Sequence, residues 1–117
     1  MSFKFETLKV WEVSLNLSNE IDLLAKKFPK IGWFSLSKQI KKAADSVNLN
    51  IAEGCIGQSN VEFKRFLTYS LRSAFEVVSC LFMALKRSYI SDSEFGKFYK
   101  EYDELCRMIS KLRSSLS

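Results

Sequence analysis

The stretch Ser46-Val47-Asn48-Leu49-Asn50-Ile51-Ala52-Glu53-Gly54, followed by Cys55-Ile56-Gly57-Gln58-Ser59, decides how the rest of the chain is read. It begins as an amphipathic helix and ends at a glycine. It restarts at Ser59 with Glu62 three residues later, a Ser-x-x-Glu capping box. A helix stop and a helix start therefore fall within about five residues, which predicts a tight helical hairpin.

Working outward, Ser35 is placed to cap a helix over 36–54 that carries Leu36, Ile40, Ala43, Val47, Ile51 and Gly54 on one face. Its small residues allow a neighbouring helix to come close. Downstream, a helix over 60–87 is apolar around much of its circumference. Phe63, Phe66, Leu67, Leu71, Phe75, Val78, Leu81, Phe82 and Leu85 cannot all face one core, so part of that surface is expected to be covered by self-association.

Before the hairpin, Thr7 is a candidate cap for a helix over 8–27, with Val10, Val13, Leu17, Ile21, Leu24 and Phe28 at steps of three and four. Pro29 ends it. After the hairpin, Ser91-x-x-Glu94 opens a helix over 92–115, with Ile90 and Phe95 placed as a hydrophobic staple. Phe95, Phe98, Tyr102, Leu105, Ile109, Leu112 and Leu116 form its seam. Short loops make successive helices antiparallel. The fold class is all-α: an up-down-up-down four-helix bundle, one domain over 1–117.

Composition agrees. The chain has 117 residues, 47% hydrophobic and 26% charged, with only four glycines and one proline to make turns. Three cysteines without metal-ligand spacing and no signal sequence point to a reducing cytoplasm. No uninterrupted apolar run reaches the ~20 residues of a membrane span, so no membrane role is expected.

Beside its apolar face the second helix carries Gln39, Lys42, Ser46, Asn50 and Glu53; the third carries Glu62, Arg65, Tyr69, Ser73 and Glu76. Folding about Gly57 brings Glu53 toward Arg65, Asn50 toward Tyr69 and Lys42 toward Glu76, a polar zip that would fix hairpin register. The plainer alternative is a solvated, salt-bridged face.

The chain has no histidine, which removes Ser-His and Cys-His catalysis, imidazole bases and Glu-x-x-His di-iron sites. A Mg²⁺-dependent nuclease on Glu53 and Glu62 is the remaining catalytic option, with no obvious third acid. No cofactor is expected. The net charge of +5 leans toward anionic partners. One end of the bundle gathers Lys26, Lys27, Lys30, Lys38, Lys86 and Arg87, with Trp33, Phe34 and Tyr89 among them; Lys41 lies one turn further on. Such a surface can hold phosphates and stack bases. Alternatively, the cations complement helix C-termini and the aromatics plug the bundle end.

Leu8-x-x-Trp11, Phe28-Pro29, the run Leu36-x-x-Gln39-Ile40-Lys41-Lys42-Ala43-Ala44-x-Ser46-Val47-x-x-Asn50-Ile51-Ala52-Glu53-Gly54, and Ser59-x-x-Glu62-Phe63-x-Arg65-Phe66-Leu67 resemble the four-helix-bundle family of 23S rRNA intervening-sequence proteins. The resemblance covers nearly the whole chain. It implies a bacterial homo-oligomer, typically a ring of five, with no enzymatic activity. It also implies a fold similar to the nucleic-acid-binding accessory proteins of diversity-generating retroelements. The chain departs from the family pattern with lysines at 41 and 42 in place of arginine, Gln58 in place of a basic residue, and Arg72 in place of glycine. The expected function is RNA or DNA binding through Lys26, Lys27, Lys30, Lys38, Lys41, Lys86 and Arg87 by a non-enzymatic oligomer. A protein-protein scaffold is the alternative, and the nuclease a distant third.

Overall fold

Three serines start three of the four helices. In a computed structural model that describes residues 2–32, 35–57 and 59–117, the helices are α1 (Lys9–Ala25), α2 (Leu36–Gly54), α3 (Asn60–Lys86) and α4 (Asp92–Ser115). The Ser35, Ser59 and Ser91 hydroxyls accept from the N–H groups of Lys38 (3.4 Å), Glu62 (3.1 Å) and Glu94 (3.1 Å). At α4 the box is reciprocal, because the Glu94 carboxylate accepts from Ser91 N–H at 3.0 Å. At α3 only half of it forms, since Glu62 turns to Arg65 (3.2 Å).

Thr7 does not cap α1. It closes a 3₁₀ turn, Lys4–Thr7, and its hydroxyl donates to the Lys4 carbonyl. Leu8, in extended conformation, precedes α1 with no side-chain cap. The Phe5 and Trp11 rings, 4.9 Å apart, tie the turn to the helix. An apolar contact thus replaces the expected hydroxyl.

Each helix packs against the next in sequence, and α4 returns to α1, closing an antiparallel up-down-up-down bundle 43 × 25 × 23 Å. The long dimension matches the 27 residues of α3 at about 1.5 Å each. The apolar stripes meet inside: Val10, Leu17, Ile21 and Leu24 from α1, Ile40, Val47 and Ile51 from α2, Leu67, Ala74, Val77 and Leu81 from α3, and Phe98, Tyr102, Leu105 and Ile109 from α4.

Of the two roles read into Gly54, admitting a close neighbour holds and releasing the chain does not. Gly54 is the last residue of α2 with no positive φ; its role is close packing, because a Cβ there would stand 2.9 Å from the Phe63 ring and from Phe66 Cβ. The left-handed residue that releases the chain is Gly57, at φ +94°. At the other end of α3, Ser88 takes that role at φ 60°. Ser88 N–H bonds to Leu85 O and Tyr89 N–H to Ala84 O, the paired bonds of a Schellman motif that usually holds glycine.

The surplus apolar surface of α3 is real. By length and composition this helix is apolar enough for a membrane span, more than the absence of a long apolar run suggests, yet most of that stretch is not buried. Phe75 and Phe82 face outward.

Candidate nucleic-acid interface

The loop between α1 and α2 meets the loop between α3 and α4 at one end of the bundle. The Phe28 and Tyr89 rings lie 5.5 Å apart there, and Lys27 pairs with Glu94 at the start of α4. That bond is the first cause holding the Glu94 carboxyl below its ordinary range, with the Ser91 N–H second. Phe28 is buried and Tyr89 half-buried, so this tyrosine plugs the bundle end, as the plainer reading had it. Trp33, Phe34 and Gln58 lie outside the described residues.

Around the start of α2, Lys26, Lys30, Lys38 and Lys41 line a cleft of about 230 Å³ floored by Ser35 and Ser37. Both serines are buried and their hydroxyls lie 3.0 Å apart. Asp22 takes up part of the charge, pairing with Lys41 at 2.9 Å and Lys26 at 3.9 Å. Its carboxyl is held below the ordinary range first by the Lys41 hydrogen bond, with the charges of Lys26 and Lys30 adding. Lys30, Lys38, Lys86 and Arg87 make no ion pair among the described residues and are exposed. The first turn of α2 adds the positive end of its dipole, while Ser35 takes the Lys38 and Gln39 N–H groups.

Lys38 and Lys41 also border a second, wider groove of about 770 Å³ along the outer side of α2, past Lys42, Asp45, Ser46, Asn50 and Glu53. The proposed polar stripe therefore borders open space for much of its length. Among the described residues only one pair of its members bridges α2 and α3: Ser46 and Ser73 share a hydrogen bond at 2.9 Å. Asn50 turns back along its own helix to Ser46, Arg65 pairs with Glu62 within α3, and Tyr69 stacks edge-on with Phe66 at 5.6 Å. Gln39, Lys42, Glu53 and Glu76 are exposed, and neither Lys42–Glu76 nor Glu53–Arg65 forms among the described residues. The reason is packing. Small residues bring the α2 and α3 axes close, short hydroxyls fit between them, and long charged side chains are displaced into water, where solvation serves them better. Arg72 likewise points outward, 5.9 Å from the Tyr69 ring.

Buried polar contacts that the sequence reading missed do the locking. Ser70 donates to the Val47 carbonyl at 2.7 Å, and Asn48 bridges α2 to α1 by donating to Ser14 Oγ (3.1 Å) and the Trp11 carbonyl (3.2 Å). The signal was available: Ser14, Asn48 and Ser70 interrupt apolar stripes at core positions. Among the described residues no three acids or cysteines converge as metal ligands, and Glu62 is committed to Arg65. Burial raises all three cysteine thiols, Cys80 to about 11.

Fold and site together define a small antiparallel helical bundle with a lysine-lined cleft at one end. The family model for the 23S rRNA-intervening sequence protein matches residues 6–111, and the chain belongs to that family. It is similar to a crystal structure from Bacteroides thetaiotaomicron VPI-5482, described as a protein with unknown function from the S23 ribosomal protein family. That likeness has a TM-score of 0.82 at 25% identity, covering 89% of this chain and 97% of that one. No curated protein matches the chain.

Proposed function

We propose that this protein is a non-enzymatic, self-associating bundle that binds RNA through the phosphates of its backbone. The observation that carries the reading is the lysine cleft at the start of α2. Lys30 and Lys38 line it with no carboxylate partner among the described residues, while Lys26 and Lys41 share Asp22. Phosphate contacts of this kind give affinity without base readout. With Tyr89 turned into the bundle end, backbone contact is the mode the described residues support. Lys86 and Arg87 extend the surface at the same end. Because each copy offers few cations, self-association supplies avidity.

The test is binding of a fluorescent single-stranded RNA to the wild type and to a Lys30→Glu/Lys38→Glu variant. The variant is expected to lose affinity at least tenfold with unchanged helicity. Equal affinity would overturn this site. A Lys86→Glu/Arg87→Glu variant is expected to lose RNA while sparing a protein partner held by apolar contacts; a wild type that copurifies with a protein partner and no RNA would favour the scaffold reading.

A further inference from the structure

The lysine cleft at the start of α2 has a floor that contact with an RNA backbone does not use. Ser35 and Ser37 are only 5% and 4% exposed, yet both line the cleft, and their hydroxyls lie 3.0 Å apart. Two hydroxyls carry two protons, and the bond between them uses one. If Ser37 donates, the Ser35 proton is left over; if Ser35 donates, that of Ser37 is. Ser35 Oγ already accepts from Lys38 N–H at 3.4 Å, so the pair is well supplied with donors. Either way one O–H at the bottom of the cleft meets no acceptor among the described residues, where a buried donor ordinarily has one. What the floor lacks is an oxygen that accepts.

Size and charge narrow the ligand. The cleft, at about 230 Å³, falls below the ~300 Å³ at which pockets begin to hold a ligand of nucleoside size, whereas the groove along α2 has about 770 Å³. Lys26, Lys30, Lys38 and Lys41 line it, and Asp22 is the one carboxylate paired with any of them among the described residues, which leaves three net positive charges. A phosphodiester within a strand carries a single charge and a sugar on either side. A terminal phosphate monoester carries about −1.5 to −2 at pH 7 and three accepting oxygens, and it has a sugar on one side only.

We infer that this cleft takes the terminal phosphate of an RNA strand. The monoester enters end on; one oxygen accepts the unspent serine proton and the others accept from lysine ammonium groups. This deepens the RNA reading above and rests on it. It also gives Asp22 a role, because its carboxylate, 2.9 Å from Lys41 and 3.9 Å from Lys26, occupies two of the cations that the phosphate needs. Docking a strand end exchanges the contacts of one carboxylate for those of a dianion. Removing the charge of Asp22 therefore strengthens binding.

Equilibrium binding to the whole chain tests this with one internally labelled single-stranded RNA that ends in a 5′-phosphate, in a 3′-phosphate or in hydroxyls only. One of the phosphorylated strands is expected to bind about tenfold more tightly than the hydroxyl strand, the scale of one further hydrogen bond to a charged group. Asp22→Asn is expected to tighten binding of that strand about threefold, since an exposed pair costs little to break. Ser37→Asp, whose carboxylate suits the first turn of a helix, is expected to erase the preference at wild-type helicity. Equal affinity for the three strands overturns the end-binding cleft while leaving backbone binding standing. So does a preference that survives Ser37→Asp, or an Asp22→Asn variant that binds the phosphorylated strand no more tightly than the wild type. No binding of any strand overturns both.

Discussion

Gly54 of α2 and Phe63 of α3 approach so closely that a single methyl group does not fit between them: a Cβ at position 54 would lie 2.9 Å from the Phe63 ring and equally near Phe66 Cβ. Alanine normally gains about 1 kcal/mol over glycine inside a helix. Here overpacking outweighs that gain, and Gly54→Ala is expected to lower stability by about 1–3 kcal/mol. Urea unfolding followed by circular dichroism measures it. An unchanged midpoint would mean that the hairpin is looser than described.

The polar register of the same hairpin resides in Ser46 and Ser73 rather than in the long charged pairs. A double-mutant cycle of Ser46→Ala and Ser73→Ala should show a coupling of about 0.5–1 kcal/mol. Exchanging the charges of Lys42 and Glu76 should show none. Coupling in the second cycle but not the first would reverse the assignment.

At the far end of α3, Ser88 holds a left-handed conformation at φ 60°. Glycine adopts it without Cβ strain, so Ser88→Gly is expected to stabilise the chain by about 0.5–1 kcal/mol, raising the thermal midpoint by roughly 2–6 °C. A lowered midpoint would show that the serine side chain contributes something the backbone geometry does not reveal.

Glu94 caps α4 and holds Lys27, and both bonds favour its charged form. Its folded pKa is therefore depressed. The stabilisation is complete above its ordinary value of 4.5 and is lost as pH falls through that value toward the folded pKa. Glu94→Gln is expected to cost about 0.5 kcal/mol at pH 7, typical of an exposed pair, and progressively less as pH falls below 4.5. A cost that does not change with pH would assign the effect to packing.

Much of the fold was legible because its signals are local. Ser35, Ser59 and Ser91 announce helix starts within one turn, and the stripes of α1, α2 and α4 point where the core lies; α1 ends at Ala25, short of the stop that Pro29 signals. Thr7 misled because a cap motif competes with the apolar Phe5–Trp11 contact, which propensity does not contain. Gly54 was legible in part: its small size does admit a close neighbour, Phe63, while the turn it also signalled is made by Gly57. The α2–α3 charge pairs were drawn from spacing alone, and spacing does not say how near two helix axes lie. At the candidate site, the gathering of lysines at one bundle end followed from topology. So did Asp22 as an acid set against them; its particular pairing with Lys41 did not, because it depends on side-chain reach from a different helix.

The central claim is that the lysine end of the bundle holds RNA phosphates, and the salt dependence of RNA affinity tests it most directly. Four unpaired cations engaging about four phosphates predict a slope of about −3 in log affinity against log salt, or roughly a fifty-fold loss between 50 and 200 mM. The Lys30→Glu/Lys38→Glu variant should bind more weakly with a slope about half as steep. A wild-type affinity that stays level across that range would contradict the account.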